Sequence, residues 1–114
     1  MKNVIQESSR EMDYTNATGS DIASGQLVLI GGGQVGIALD AIANGATGVL
    51  VVSDLVVTLP KVAGNALNIG TVPAVGTAGN TVDIATNTAA TTMTNAFVWE
   101  TAAADATEVK LALK

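Results

Sequence analysis

The sequence contains no cysteine and no histidine, and only three aromatic residues, Tyr14, Phe97 and Trp99, in 114 positions. Zinc sites of the Cys/His type, disulfide frameworks, cysteine nucleophiles and imidazole bases are all excluded. The five serines have no imidazole to activate them. Positive charge is also scarce. Five Lys and Arg stand against ten Asp and Glu, a balance that argues against a nucleic-acid partner held through its phosphates. The aliphatic run Val49-Leu50-Val51-Val52 is cut by Ser53-Asp54, far short of the roughly 20 apolar residues of a membrane span. No membrane partner is expected. The opening MKNVIQESSREMDY lacks the apolar segment of a secretory signal, so synthesis in the cytoplasm is expected. These absences point away from an enzyme.

What is present is small and β-prone. A chain of 11.4 kDa fits one domain, and its Ala, Thr, Val and Gly favour thin, closely packed layers over a thick core. Residues 1–20 are polar and without period, apart from Val4 and Ile5, and read as an extended N-terminal arm. Residues 21–114 read as a single β-rich domain. Leu27 to Ile30 and Val35 to Leu39 are strands around Gly31-Gly32-Gly33. Asn44-Gly45 is a turn, and Gly48 to Leu59 is one long strand or two collinear ones ended by Pro60. A helical turn is expected at Lys61–Leu67, a short strand near Ile69–Val72 and a turn at 77–80. The Thr/Ala run 85–92 reads as a loop or a flat edge. Val82 and Ile84 alternate around Asp83. Met93–Glu100 puts Phe97 and Trp99 on one face, and Val109, Leu111 and Leu113 alternate with Glu108, Lys110 and Ala112. No internal repeat is evident. The fold class is all-β: a compact small barrel or sandwich with at most one short helix.

One motif resembles a cofactor site. Gly31-Gly32-Gly33-Gln34-Val35-Gly36 is a literal G-x-G-x-x-G after an aliphatic run, with Asp54 further on where a ribose ligand would stand. The segment from Ile37 to Ala43 is too short for the crossover helix, and no long amphipathic helix follows Pro60. The glycines therefore read as a hairpin turn, and no cofactor is expected. The carboxylates are scattered without a calcium-loop spacing, so no metal is expected either. Asn16-Ala17-Thr18 is a chance glycosylation sequon. Lys61 is the one cation between Arg10 and Lys110, and a solvated or salt-bridged side chain is expected there.

The order of segments carries more than any one of them. DIASGQLVLI at 21–30, GQVGIA at 33–38, AIANGATGVL at 41–50, VVTLPK at 56–61 and a C-terminal VKL at 109–111 resemble the small decoration, or capsid cement, proteins of tailed-bacteriophage heads. The sequence departs from that pattern at Gly70-Thr71-Val72-Pro73, which lacks an aromatic pair, and at Leu55-Val56-Val57, which replaces Gly-Val-Phe. The resemblance implies a non-catalytic β-rich virion protein on the outer capsid surface, bridging major capsid protein subunits and forming a homotrimer. It makes Val4, Ile5, Tyr14, Leu59, Pro60 and Lys61 the candidate capsid or subunit contacts, with the arm adding a strand to a capsid-protein sheet edge. Two other classes stay open: a small nucleotide-binding domain using Gly31–Gly36, and a subunit of another extracellular fibre or surface assembly.

Overall fold

The computed structural model describes residues 10–76, 80–84 and 90–114. Ten strands and no helix occur among them: β1 (Glu11–Thr15), β2 (Leu27–Gly31), β3 (Gln34–Ala38), β4 (Thr47–Val51), β5 (Leu55–Pro60), β6 (Ala74–Val75), β7 (Val82–Asp83), β8 (Thr91–Thr92), β9 (Ala96–Glu100) and β10 (Glu108–Leu113). They form three antiparallel sheets of order β1-β4-β3-β2, β5-β10-β9 and β7-β6-β8. The sheets stay open, so a sandwich describes the fold and a closed barrel does not.

The long stretch from Gly48 to Leu59 splits between two sheets. Asp54, at φ 56, bends the chain where β4 ends, and β5 then joins β10. Leu27, Val35 and Ile37 of the four-stranded sheet meet Leu59, Val98, Val109, Leu111 and Leu113 of the second sheet. Val75, Val82 and Met93 close the same core. The opposite face of the four-stranded sheet buries Val28, Ala38 and Leu50 under Ile22 and Ile42. Burial on both faces explains why Leu27 to Ile30 reads as a continuous apolar run without alternation.

Of the stretch 1–20, residues 1–9 lie outside the described residues. Glu11–Thr15 pair with β4, Met12 opposite Leu50 and Tyr14 opposite Gly48. Met12 and Tyr14 pack on the second cluster while Glu11, Asp13 and Thr15 are exposed. Residues 77–79 and 85–89 of the expected turn and Thr/Ala run also lie outside the described residues.

A repeat only partly visible in the letters, as Ile-Ala-x-Gly at 22–25 and 42–45, is present in the backbone. Ile22 and Ile42 exchange two hydrogen bonds (2.9 and 2.8 Å), as do Leu67 and Ala102 (2.9 and 2.8 Å). Each of these four residues enters a turn closed by an N–H to C=O bond, from Gln26 to Ala23, Ala46 to Ala43, Thr71 to Asn68 and Ala106 to Ala103. Three of the turns hold glycine third, with φ 80 at Gly25, 85 at Gly45 and 84 at Gly70, as a type II turn requires. These corners correct two expectations. Lys61–Leu67 is not helical, because Leu67 bonds across to Ala102 and Gly64 turns the chain at φ 104. Ile69–Val72 is a corner and not a strand.

Candidate interaction surface

The outer face of the β5-β10-β9 sheet collects the apolar side chains that the core does not take. Along β9, Ala96 and Val98 turn inward and are fully buried, while Phe97 and Trp99 turn outward. The register opposes Val56 to Ala112 and Ala112 to Phe97, which lays an apolar row across the three strands. The β9–β10 pairing then slips: Lys110 faces Glu100 and Leu111 faces Val98, leaving Trp99 as the extra residue of a bulge. The bulge exposes two consecutive side chains, Trp99 and Glu100. Trp99 is 49 % exposed and Val56 47 %.

The surroundings hold this face in shape. The Phe97 and Trp99 rings stand 6.3 Å apart at 46°, and Lys114 Nζ lies 6.0 Å from the Phe97 centroid. Lys110 Nζ donates to Glu100 Oε2 at 3.4 Å; both side chains are well exposed, so the pair orients more than it stabilises. The corner 68–71 closes the free flank of β9: Gly70 N–H donates to Val98 C=O and Val98 N–H to Thr71 C=O. Exposed Ile69 and Val72 thereby lie beside β9. Next to the row a shallow cavity of about 320 Å³ is lined by Thr58, Thr101, Glu108 and Lys110 among others. Such a face binds by desolvating apolar area around an aromatic anchor.

The residues singled out from sequence do not gather into one patch. Val4 and Ile5 lie outside the described residues. Tyr14 is half-buried over Gly48. Leu59 is a core residue at 1 % exposure, and Pro60 is exposed at the end of β5. Lys61, at 5 % exposure, is not solvated, and among the described residues it makes no salt bridge. Its ammonium donates to the carbonyls of Val62 (3.0 Å), Ala104 and Ala106 (both 3.2 Å), matching three N–H donors with three acceptors. The sequence signal for Phe97 and Trp99 on one face was correct; what was missing was which face points outward.

The other motifs resolve into structure. Gly31–Gly33 form the tip of the β2–β3 hairpin, and no helix follows them. A side chain at Gly33 would collide with the carbonyl of Thr92, so the close backbone approach that its glycine permits is to the protein itself. The nucleotide-binding alternative loses its strand–turn–helix context. Asn16 is 0 % exposed, and its Nδ2 already donates to Ser20 and Ile42 carbonyls, which leaves no room for a glycan.

Among curated proteins none matches the sequence significantly. The family model described as phage cement protein matches residues 5–113. That match takes in all ten strands and the outward aromatic face, and by it the chain belongs to the phage cement protein family.

Proposed function

We propose that this chain braces a phage capsid from outside, by bridging neighbouring major capsid protein subunits, and that it does so as a homotrimer without catalysing a reaction. Membership of a phage cement family makes its role a structural one at the capsid. The observation that carries the finer reading is the Val56–Ala112–Phe97 row with Trp99 beside it, an apolar face that the monomer leaves uncovered. Buried against a capsid subunit, Trp99 is the contact of greatest expected value, since tryptophan dominates binding energy where it is fully desolvated. Three linked copies attach to a local three-fold site with the second and third contacts made intramolecular, which raises avidity without new chemistry.

The test is titration of capsids purified without the protein. Trp99→Ala is expected to weaken binding by about 30-fold, the equivalent of a loss of about 2 kcal/mol for a hot-spot tryptophan. Val56→Lys, on the same face, is the second variant. Unchanged affinity in both, with folding intact by circular dichroism, refutes this face as the contact. Isolated monomers both in solution and on particle images refute the trimer.

A further inference from the structure

We propose that Asn44 is a latent deamidation site, held closed by the corner at 43–46 and converted to aspartate or isoaspartate when that corner opens. The site lies before β4, on a different sheet from the outward aromatic face, and does not rest on the capsid reading. Asn44-Gly45 is the one Asn-Gly pair in the chain. Such a pair is labile because glycine places no side chain in the way of its own nitrogen. The Gly45 nitrogen gives its proton to solvent base and attacks Asn44 Cγ, and the side-chain amide leaves as ammonia. Water then opens the five-membered imide at either carbonyl. Opening at Cγ gives aspartate; opening at the main-chain carbonyl gives isoaspartate, whose chain runs through Cβ and Cγ. Water is the net co-reactant, ammonia is the net product, and nothing is oxidised or reduced.

Access does not prevent this reaction. Ala43, Asn44, Gly45 and Ala46 are all exposed, so base and water reach the site. The backbone prevents it. Gly45 N–H donates to Asn16 C=O at 2.8 Å, and a carbonyl accepts that hydrogen bond without taking the proton. Asn16 is itself buried and fixed: its N–H donates to Ala46 C=O at 2.8 Å, and its carboxamide to the Ser20 and Ile42 carbonyls. On the other side of the pair, Asn44 N–H donates to Asp21 Oδ1 at 2.8 Å.

The turn has the wrong hand for ring closure as well. Ala46 N–H closes it on Ala43 C=O at 2.9 Å, with Gly45 third at φ 85. The second residue of a type II turn has ψ near about +120°, which brings the Asn44 carbonyl oxygen nearer its Cβ than the Gly45 nitrogen. Closing the ring requires the peptide to rotate, and that rotation breaks the Gly45–Asn16 bond. The reactive form is therefore the open corner. The two products then differ. Isoaspartate adds one carbon to the main chain between the Asn44 and Gly45 amides, so the bonds to Asp21 and Asn16 cannot both re-form. Aspartate keeps the chain length and adds only a carboxylate beside Asp21.

Timed incubation of the full-length protein at mildly alkaline pH, followed by mass spectrometry of the peptide containing Asn44, tests this. Conversion in the native protein is expected to be at least about tenfold slower than in the same chain unfolded in urea. Asp21→Ala removes an exposed side chain and one of the two clamps. It is expected to speed native conversion about threefold and to leave the rate in urea unchanged. The isoaspartate form, separated by ion exchange, is expected to unfold at lower urea than wild type. Asn44→Asp, which has the ordinary backbone, is expected to stay close to wild type. Native conversion as fast as in urea overturns the proposal, and so does conversion too slow to detect in either state. An Asp21→Ala rate no higher than wild type, or an isoaspartate form as stable as Asn44→Asp, overturns the corner as the lock.

Discussion

Replacing Asn95 tests how the two large sheets are joined. In the β3–β4 register Ile37 opposes Val51, so the residue due to face Val35 is Ser53, but the chain has already bent toward β5. The Asn95 carboxamide fills that place. Its Oδ1 accepts from Val35 N–H at 2.8 Å, and its Nδ2 donates to Val35 C=O at 2.8 Å and to Val52 C=O at 3.0 Å. Val35 is 0 % exposed and Asn95 7 %. Asn95→Ala leaves one buried donor and two carbonyls without partners, at about 1–3 kcal/mol for each group fully stranded. Water entering the space of the lost carboxamide relieves part of this, so the expected loss is about 3 kcal/mol. Against a typical stability of about 5–15 kcal/mol that is a large fraction, readable as a lower urea midpoint at unchanged slope. Asn95→Asp keeps the shape but turns an oxygen toward both carbonyls, and is expected to lose at least as much. Losses below about 1 kcal/mol in both variants, less than one stranded buried group, refute the carboxamide as a stand-in for a strand.

Three further outcomes follow from the same structure. Lys61→Met keeps the stem and removes the ammonium from three carbonyls; a loss of about 2 kcal/mol is expected in urea unfolding. Gly48→Ala adds a methyl 2.5 Å from Ile42 Cγ1, so it is expected to cost about 1–3 kcal/mol by overpacking although alanine is ordinarily the better strand residue. Pairing it with Ile42→Ala is expected to recover at least about 0.5 kcal/mol relative to the sum of the singles, and strict additivity contradicts the contact. Trp99→Ala is expected to leave the urea midpoint within about 0.5 kcal/mol of wild type, so that its effect on capsid binding is separable from folding.

Much of the fold was legible where side chains alternate against one core. Val109, Leu111 and Leu113 announced β10, and three glycines between aliphatic runs announced the β2–β3 hairpin. β1 was harder to see because only Met12 and Tyr14 mark its inward face, among charged neighbours. Lys61–Leu67 carries some helix formers (Lys61, Ala63, Ala66, Leu67) beside the weak Gly64 and Asn65, and its backbone bonds go to Ala102, Thr107 and Val82, partners about 20–45 residues away, a separation at which local propensity has no information. Asn16, Asn95 and Lys61 were illegible for a related reason. Each is a polar residue bonded mainly to backbone groups, Asn16 adding only the Thr18 hydroxyl, and a backbone group gives no letter to read. The corner repeat shows in the letters only in part: Ile22-Ala-Ser-Gly25 and Ile42-Ala-Asn-Gly45 share Ile-Ala-x-Gly, while Leu67-Asn-Ile-Gly70 shares only the glycine and Ala102–Asp105 not even that.

The exposed aromatics need more than packing to account for them. The inward positions of β9 are the small side chains Ala96 and Val98, both fully buried in the main core, and a ring turned inward there would overfill it. That explains why Phe97 and Trp99 are outside; it does not explain why they are aromatic. Elsewhere the exposed strand positions are mostly threonine, at Thr15, Thr47, Thr58, Thr91 and Thr92, or charged and amide residues such as Glu11, Asp13, Gln34, Glu108 and Lys110, which suit a pleated, solvated surface at no hydrophobic cost. Only on β9 does the outer face carry two of the chain's three aromatics, with a bulge that exposes the second of them. A monomer gains nothing from that choice. A surface that must be desolvated against another protein does, because a large rigid ring yields much buried area for little lost rotamer freedom.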